Sequence, residues 1–358
     1  MGFLHRVELL RRSGRLLGLS AAIAVGLLPG VAVSQTPRVL WEKRVTHAPG
    51  VAPTLHGDTL WIVGTDQRIQ SLSASGGARH WKRSLGSQAL LPVVPAPGAV
   101  AVCVGSPEPG LIVLERRNGR ERWRVRMSGA AVGLAAGGGG IAVATRPGKV
   151  SAYALEDGRR LWERSLGIPI AGICQDESRL FVLGRSDSIW CLDMAEGSAH
   201  WVAATEGIHA SAPVLCDSLL ACAGYGGKIS LFDRDGGSLV ASAFGDSPMV
   251  SPPGYLAGWL GCAAVGGEIR LIELPGLSTG WGKETGETLA AGVLPWGDTW
   301  VAPCLSGRML GFTHDRGAEA WSLDFRTRIA RPPARWGPLL AAIDEKGTVT
   351  VLTIGESR

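Results

Sequence analysis

Short apolar runs separated by turn residues follow one another along most of the chain. In one representative stretch, residues 212–216 and 219–223 are apolar runs on either side of Asp217-Ser218, and a third run at 229–232 follows. Runs of this length are typical of β-strands, and 51 glycines and 21 prolines interrupt the chain too often for helices. The pattern predicts repeats of four short antiparallel strands joined by tight turns.

A tryptophan recurs once in each repeat and marks its length, which is about 40 residues. One interval, from Trp201 to Trp281, is twice as long as the others. Val240 stands near its middle, and we interpret it as the one position where the marker is lost. A glycine stands four residues before nearly every marker, often in a turn dipeptide such as Asp157-Gly158 that favours a hairpin. The markers are Trp41, Trp81, Trp123, Trp162, Trp201, Trp281 and Trp321, and the glycines are Gly77, Gly119, Gly158, Gly197, Gly236 and Gly317.

The two ends of the repeat region determine the number of repeats. Trp41 lies on a strand with no partner before it, and the apolar run at 349–352 has no strand after it. Pairing these two strands closes a ring and removes the exposed edges of an open sheet. Eight repeats of about 40 residues also account for the whole stretch from position 35 to position 358. We therefore predict an all-β fold: a single eight-bladed β-propeller over residues 35–358, with four-stranded antiparallel blades and tryptophans that pack between blades.

The segment 1–34 has the features of a secretory signal peptide. Four arginines precede an apolar run at 16–28, Pro29 ends the run, and small residues follow it. The run is shorter than the ~20 residues that span a membrane, so we predict cleavage, with an uncleaved anchor as the alternative. The pair Arg11-Arg12 leaves both the general secretory and the twin-arginine route open. We predict a periplasmic or otherwise extracytoplasmic protein with no membrane span after cleavage and, since no cysteine follows the leader, no lipid anchor.

Charge and cysteine content exclude several classes of function. The chain has a formal net charge of +5, of which the segment 1–34 contributes +3, and the remainder carries no run of Lys or Arg. A nucleic-acid partner is therefore not expected. The seven cysteines include no CxxC pair, which excludes a zinc ribbon, a thioredoxin motif and c-type haem attachment. Cys103, Cys222 and Cys262 each lie in an apolar run, so we predict buried thiols and leave the redox state of the cysteines open.

The segment 148–162 closely resembles the repeat of the pyrroloquinoline-quinone-like (PQQ-like) β-propeller family. It reads GKVSAYALEDGRRLW, so that Gly158 and Trp162 stand at the GxxxW spacing of the family pattern ALDxxxGxxxW. The segment 189–201 resembles the same pattern, and the resemblance extends over nearly the whole chain after the leader. It implies that each tryptophan docks against the adjoining blade. Because one fold hosts many functions, the resemblance bears more on the fold than on the activity.

Two branches of this family imply different functions. The quinoprotein dehydrogenases bind PQQ and calcium and oxidise alcohols or sugars, and many carry a vicinal cysteine pair and an asparagine that binds calcium. This sequence has no adjacent cysteines, and its only asparagine, Asn118, stands in a hairpin turn. The BamB-like propellers are non-enzymatic scaffolds of outer-membrane protein assembly, and they match the length, the eightfold period and the predicted export. We therefore predict no enzymatic activity, and neither PQQ nor calcium as a cofactor.

Four basic residues are the candidate ligand-face positions. Arg68, Lys149, Lys228 and Arg308 precede the third strand of alternate repeats, so that they follow one another at two repeat lengths, about 80 residues. One hypothesis is a basic ring on one face of the propeller for an anionic ligand or an acidic partner loop. The alternative is a solvent-facing residue that the repeat favours. The GxSxG pattern at 276–280 falls where a hairpin is expected, so we interpret it as a turn and not as a nucleophile elbow.

The sequence as a whole predicts an exported, monomeric, non-enzymatic scaffold that binds a protein partner in the cell envelope. A role in outer-membrane protein assembly is its most specific form. The alternatives are a quinoprotein dehydrogenase or a sensor with a small molecule in the central funnel, and a purely structural module of an envelope complex. Carboxylates converging on the propeller axis would favour the funnel. An exposed apolar patch would favour the protein partner.

Overall fold

All regular structure in the described part of the chain is β-strand. The computed structural model describes residues 36–355, apart from residues 246, 250, 265, 326 and 330. These residues form 32 strands in eight four-stranded antiparallel sheets, each of them one blade, and none forms a helix. Accordingly, this part of the chain has no helix able to cross a membrane. The predicted signal peptide at 1–34 lies outside the described residues, so its cleavage and the export stay predictions.

The strands of each blade follow one another from the axis of the ring outwards. The N-terminal strand is β1 (Arg38–Arg44). Blade 1 contains β2 (Thr54–His56), β3 (Thr59–Val63), β4 (Arg68–Ser73) and β5 (Arg79–Ser84). Blade 2 contains β6 (Val94–Ala96), β7 (Ala99–Val104), β8 (Gly110–Glu115) and β9 (Glu121–Arg126). Blade 3 contains β10 (Ala131–Gly137), β11 (Gly140–Thr145), β12 (Lys149–Ala154) and β13 (Arg160–Ser165). Blade 4 contains β14 (Ile170–Gln175), β15 (Arg179–Gly184), β16 (Ser188–Asp193) and β17 (Ala199–Ala204).

The remaining blades repeat this order. Blade 5 contains β18 (Val214–Cys216), β19 (Leu219–Ala223), β20 (Lys228–Asp233) and β21 (Leu239–Phe244). Blade 6 contains β22 (Gly254–Leu256), β23 (Trp259–Ala263), β24 (Glu268–Glu273) and β25 (Ser278–Glu284). Blade 7 contains β26 (Leu294–Trp296), β27 (Thr299–Pro303), β28 (Arg308–Thr313) and β29 (Glu319–Asp324). Blade 8 contains β30 (Ala334–Trp336), β31 (Leu339–Ile343), β32 (Thr348–Thr353) and, as its outermost strand, β1.

The N-terminal strand completes blade 8, as predicted. β1 pairs antiparallel with β32, with Trp41 opposite Val351. The innermost strands β2 and β30 of blades 1 and 8 are in contact, which closes the ring. The structure therefore confirms the prediction of an eight-bladed propeller. The outermost strand of each blade ends its sheet and presents a free edge at the rim.

A β-bulge recurs in the outermost strand of every blade and fixes the marker position. In blade 1 the bulged residue is His80, and the marker Trp81 follows it. In blade 5 the bulged residue is Val240, so the marker position belongs to Ala241. The prediction that Val240 is the lost marker was therefore wrong by one residue. Because successive residues of a strand point to opposite faces, this shift changes which side chain faces the next blade.

The hydrophobic core is divided among eight seams, each of which is the interface between two adjacent blades. At the first seam, Val63 of blade 1 lies in one buried cluster with Val102 of blade 2. At the closing seam, Leu60 of blade 1 lies in one cluster with Val351 of blade 8. The other six clusters of the described residues likewise join consecutive blades. Blades are thus held together by apolar side chains that alternate along every strand.

Six of the seven marker tryptophans dock on the turn between the third and fourth strands of the next blade. Their Nε1–H groups donate to a backbone carbonyl there at 2.6–3.2 Å. Trp123, for example, donates to the carbonyl of Leu155 at 3.0 Å. The six acceptors in chain order are Ala74, Arg116, Leu155, Met194, Arg234 and His314. A buried indole thereby satisfies its donor while its ring fills the seam.

The glycine of this turn is required for two reasons. Gly158 has a φ of +72°, and a Cβ built there would lie 2.6 Å from Cδ2 of Trp123. Any other residue would be strained in this conformation and would collide with the indole. In blade 5 the corresponding glycine is Gly237, with a φ of +73° beneath Trp201. Gly237 stands four residues before Ala241, so the assignment of this role to Gly236 was also wrong.

Trp321 departs from this arrangement because of the ring closure. Blade 8 takes its outermost strand from the N-terminal end of the chain, so its third strand is not followed by a hairpin within the described residues. The indole of Trp321 is buried, and its Nε1 has no hydrogen-bond partner among the described residues. Its ring instead packs edge-on against Trp296 at a centroid distance of 6.1 Å. The seam between blades 7 and 8 thus relies on aromatic packing in place of the repeated hydrogen bond.

Candidate functional site

One mouth of the central channel is lined by apolar and small side chains. A cavity of about 400 Å³ opens where the innermost strands of blades 2 to 6 begin. Among the described residues that line it are Leu91, Val132, Leu134, Ile173 and two serines, and no acidic or basic side chain belongs to the lining. The carboxylates that would have favoured a ligand in the funnel are therefore not found at this mouth.

This lining does not suit the cofactor of the quinoprotein branch. PQQ is an anionic quinone, and its binding calls for cationic and hydrogen-bonding side chains, while calcium calls for carboxylate oxygens. The channel mouth offers no cationic side chain and no carboxylate, and the described residues contain no cluster of three or more His, Cys, Asp or Glu side chains that could hold a metal. Asn118 lies in the β8–β9 turn, where its Oδ1 accepts a hydrogen bond from the amide of Arg120 at 2.8 Å. The residues at this mouth do not fit PQQ or calcium.

The structure places the four basic candidates at the first residue of β4, β12, β20 and β28. Lys149 contacts Glu163 at 3.1 Å, and Arg308 contacts Glu287 at 3.0 Å. Lys228 is buried and forms an ion pair with Glu206. Arg68 is exposed. The sequence hypothesis did not include these carboxylates, and three of the four charges are already balanced within the chain.

Two of these basic side chains lower the pKa of their carboxylate partners. The hydrogen bond from Lys149 is the main cause that lowers the pKa of Glu163, with a further contribution from Arg160. The hydrogen bond from Lys228 lowers the pKa of Glu206 in the same way. Both carboxylates therefore stay ionised at neutral pH, and an anion approaching these positions meets a neutralised pair. The ligand-face role of the four bases stays a prediction.

Charge is strongly segregated around the ring. Residues 38–165, which form β1 and blades 1 to 3, contain 18 basic and nine acidic residues. Residues 206–287, which form blades 5 and 6, contain four basic and nine acidic residues. A count over the whole chain after the leader hides this difference, and this is why sequence reasoning missed it. One side of the ring is positive and the opposite side is negative.

Exposed apolar side chains are concentrated on blades 4 and 5. Of the seven large hydrophobic residues that are exposed among the described residues, five belong to these blades and two, Val39 and Trp336, to blade 8. The five are Val202, Ile208, Tyr225, Leu239 and Val240. We call them the apolar group. Within the group, Leu239 and Val240 adjoin on β21. A surface of adjoining exposed apolar side chains is more often covered by another molecule than left in contact with solvent.

The outermost strands of these two blades also lack charge. β21 reads LVASAF and has no ionisable side chain, and β17 has only one, His200. Each of the other six outermost strands carries at least two Asp, Glu, Lys or Arg residues. Charged side chains on an edge strand prevent other chains from pairing with it. Blades 4 and 5 lack this protection.

The seven cysteines are free thiols. Six are buried, as predicted, and Cys174 is half-buried. Burial raises the pKa of Cys103 and of Cys262 to about 12. Since the thiolate is the reactive form, these groups are unreactive at neutral pH while the propeller is folded.

We expect thiol reagents to distinguish the folded from the unfolded protein. At pH 8 the native protein should react with a disulfide-type reagent at no more than the Cys174 position, because the pKa of every thiol is raised by burial. In denaturant all seven thiols should react. Counting released chromophore under both conditions checks this. Rapid reaction of several thiols in the native state would contradict the burial.

The GxSxG segment is part of an outermost strand and its turn. Gly276 and Leu277 lie in the β24–β25 turn, and Ser278 is the first residue of β25. The Ser278 hydroxyl donates to the carboxylate of Glu273 at 3.3 Å. A strand-to-helix elbow is not formed here, in agreement with the interpretation as a turn.

A comparison with known protein families gives a match over a large part of the chain. A family model described as outer membrane protein assembly factor BamB matches residues 30–129 and 108–251, which together exceed half of the chain. The chain belongs to the BamB family. This confirms the resemblance to PQQ-like repeat propellers of BamB type.

Individual BamB proteins are distant relatives of the chain. It is 26% identical over 257 residues to outer membrane protein assembly factor BamB of Burkholderia pseudomallei, and the match covers 66% of each protein. It is 23% identical over 229 residues to the BamB protein of Bordetella pertussis, with 58% of each covered. The chain thus spans about two thirds or less of the length of these curated relatives.

Solved structures agree on the fold. The crystal structure of BamB from Moraxella catarrhalis superposes with a TM-score of 0.77 at 16% identity, covering 90% of this chain and 99% of that one. Quinohemoprotein alcohol dehydrogenase from Comamonas testosteroni superposes with a TM-score of 0.72 at 12% identity, covering 91% of this chain and 78% of that one. Both the BamB structure and the dehydrogenase thus share the propeller, so likeness of fold does not separate the two functions.

Proposed function

We propose that this protein is a non-enzymatic scaffold of the cell envelope that takes part in outer-membrane protein assembly by binding a protein partner. The observation that carries the proposal is the concentration of the apolar group on blades 4 and 5, next to outermost strands without charge. The names of the matched family and of the curated relatives support the assembly role. The extracytoplasmic location rests on the predicted signal peptide.

The composition of the channel mouth supports a scaffold over an enzyme. Its lining combines aliphatic side chains with two serines and has no acid or base to activate a substrate. We accordingly propose that neither PQQ nor calcium takes part in the function. Mass spectrometry and metal analysis of the protein purified from its native envelope test this point, and a stoichiometric quinone would overturn it.

Photo-crosslinking in the native cell tests the partner. A photoreactive phenylalanine analogue is placed at Leu239 or Val202 of the apolar group and, as a control, at the exposed position His80 on β5. We expect adducts with envelope proteins of the outer-membrane assembly machinery from the first two positions and none from the third. Equal adduct formation at all three positions, or adducts with cytoplasmic proteins alone, would overturn the proposal.

Charge reversal tests the four basic positions as part of the same partner face. Arg68 is exposed, whereas Arg308 is paired with Glu287, so any loss of crosslinking should come mainly from Arg68→Glu. An exposed charge contributes at most about 1 kcal/mol, so we expect a loss of no more than about fivefold. Unchanged crosslinking in the double variant Arg68→Glu, Arg308→Glu would remove these residues from the partner face.

A further inference from the structure

The seam between blades 5 and 6 inverts the docking arrangement of six other seams. Ala241 occupies the marker position of blade 5, and the turn of blade 6 carries Leu277 where the other turns carry glycine. Leu277 has a φ of +56°, in the left-handed region that glycine normally occupies. Its side chain packs on the buried cluster that includes Ile229 and Ile272, and so does Ala241. A leucine from blade 6 thus fills space that a tryptophan from the preceding blade fills elsewhere.

A leucine fills this space only in part. A cleft of about 100 Å³ remains between β20–β21 on one side and β24–β25 on the other. Its floor is apolar and includes Ile229, Ala243, Cys262 and Leu277, while an ion pair between Arg270 and Glu268 borders it. The cleft lies beside β21 and is bordered by Leu277, the residue that stands where six other turns carry a glycine beneath or beside an indole.

The edge of β21 offers main-chain groups beside this cleft. β21 is the last strand of its sheet, so one of its edges is unpaired. After the bulge at Val240, its register with β20 is regular from Ala241 to Phe244. Leu239 and Val240 are 57% and 47% exposed at the beginning of the strand. Unpaired N–H and C=O groups beside apolar side chains and a pocket are what an added β-strand requires.

The charge of this region indicates the kind of segment that would pair here. Blades 5 and 6 are the acidic side of the ring, with nine acidic and four basic residues over 206–287. Asp235, in the turn before β21, is paired with Arg179 at 2.8 Å, whereas Glu273 is exposed at the end of β24. Glu284 is exposed at the end of β25 in the next blade. A strand with basic ends is favoured here over one with acidic ends.

We propose that β21 accepts an extended apolar segment of a protein partner, flanked by Lys or Arg, as a fifth strand of blade 5. The added strand pairs with the main chain of 241–244 and directs alternate side chains toward the cleft and toward the solvent. This rests on the proposed function, because it specifies how the partner binds to the apolar group. The edge, the cleft and the acidic surroundings coincide at this one seam of the ring.

A synthetic strand tests the proposal directly. The probe is a short peptide of alternating valine and threonine with lysine pairs at both ends, and its binding to the full chain is followed by fluorescence anisotropy. Two further peptides carry N-methyl groups on all valines or on all threonines, so that each blocks one edge of the strand. We expect one of the two N-methylated peptides to bind at least about tenfold more weakly than the unmethylated lysine-flanked peptide. A peptide with glutamate pairs in place of the lysine pairs should be weakened by at least as much. Hydrogen exchange should slow at residues 241–244.

A double variant with a matched control locates the site. Leu239→Glu with Val240→Arg reproduces the Glu121-Arg122 pair that β9 carries at the same two strand positions, so the fold tolerates it. The control is Arg79→Glu with His80→Arg on β5, which introduces the same pair on another edge. We expect the variant on β21 to weaken peptide binding by about tenfold or more and the control to leave it unchanged.

Each remaining outcome decides a point. If both N-methylated peptides bind like the parent, main-chain pairing is wrong. If sedimentation shows a dimer of the free protein that the β21 variant abolishes, the occupant is a second copy and the proposal is overturned. If the peptides fail while crosslinks from Leu239 persist in cells, strand addition is wrong and the scaffold function stands. If the peptides bind and no envelope crosslinks form, the proposed function alone fails.

Discussion

Replacing Trp123 by alanine is expected to lower the free energy of unfolding by about 3–5 kcal/mol. The side chain is 9% exposed and joins the core of the seam between blades 2 and 3. Its Nε1–H donates to the carbonyl of Leu155, and its ring covers Gly158. Truncation removes the burial of the ring, leaves a cavity and orphans a carbonyl acceptor. Equilibrium denaturation in urea, followed by circular dichroism, measures the loss.

Trp336 provides the matched control for this substitution. It is 45% exposed, and its main contact is the ring of His56 at a centroid distance of 4.2 Å. Trp336→Ala should therefore cost less than about 1.5 kcal/mol, the range of an aromatic pair. Similar losses for both variants would show that the marker tryptophans contribute no more than surface aromatics. The assignment of these residues to blade docking would then be wrong.

The architecture was predictable because the tryptophans that mark the repeat in the sequence are the same residues that hold adjacent blades together. A tryptophan that docks on a turn glycine of the next blade must recur once per blade, so the interval reports the blade length. The closure by β1 was likewise predictable, because Trp41 without a preceding strand and residues 349–352 without a following strand complete each other. The residues that reveal the number and closure of the blades are therefore those that pack between blades, and not those with a high propensity for β-structure.

The one-residue error at the lost marker has a physical reason. The interval between markers is not constant, since Trp123 follows Trp81 at a longer spacing than Trp162 follows Trp123. The middle of a double interval therefore cannot separate Val240 from Ala241, and the glycine doublet Gly236-Gly237 provides a candidate for either position. Only the strand pairing shows which residue holds the marker position, since Ala241 lies opposite Leu231 and Val240 is the bulged residue. Leu277, at a position where other repeats have glycine, was the sequence signal that could have revealed the inverted seam.

The candidate site was less accessible from the sequence than the fold. The four basic residues share a strand position, and this makes them visible as a pattern. Two of their three carboxylate partners, Glu206 and Glu287, stand in the connections between blades, where the repeat imposes no pattern. The apolar group is defined by exposure, which depends on the position of the rim and not on residue type. The charge segregation, by contrast, was present in the sequence and needed only a count by blade.

The inverted seam predicts strong coupling between positions 241 and 277. Ala241→Trp alone places an indole against Leu277, and we expect this crowding to cost about 1–3 kcal/mol in the free energy of unfolding. Leu277→Gly alone relieves the left-handed backbone but removes a packed side chain next to the existing cleft, and should also be destabilising. Together, the two substitutions reproduce the arrangement of the six docked seams, with the carbonyl of Leu274 at the position that accepts the Nε1–H of the tryptophan there.

A double-mutant cycle measures this coupling. The sum of the two single effects predicts a certain free energy of unfolding for the double variant. We expect the measured value to exceed it by about 1–3 kcal/mol, the coupling typical of residues in contact. Urea denaturation of the four proteins gives the coupling energy, and the pair Trp123 and Ala241, on separate seams, should give a value near zero. Additive effects at 241 and 277 would contradict a shared space. The restored seam should also fill the cleft beside β21, so the lysine-flanked peptide should bind more weakly to the double variant than to the native protein.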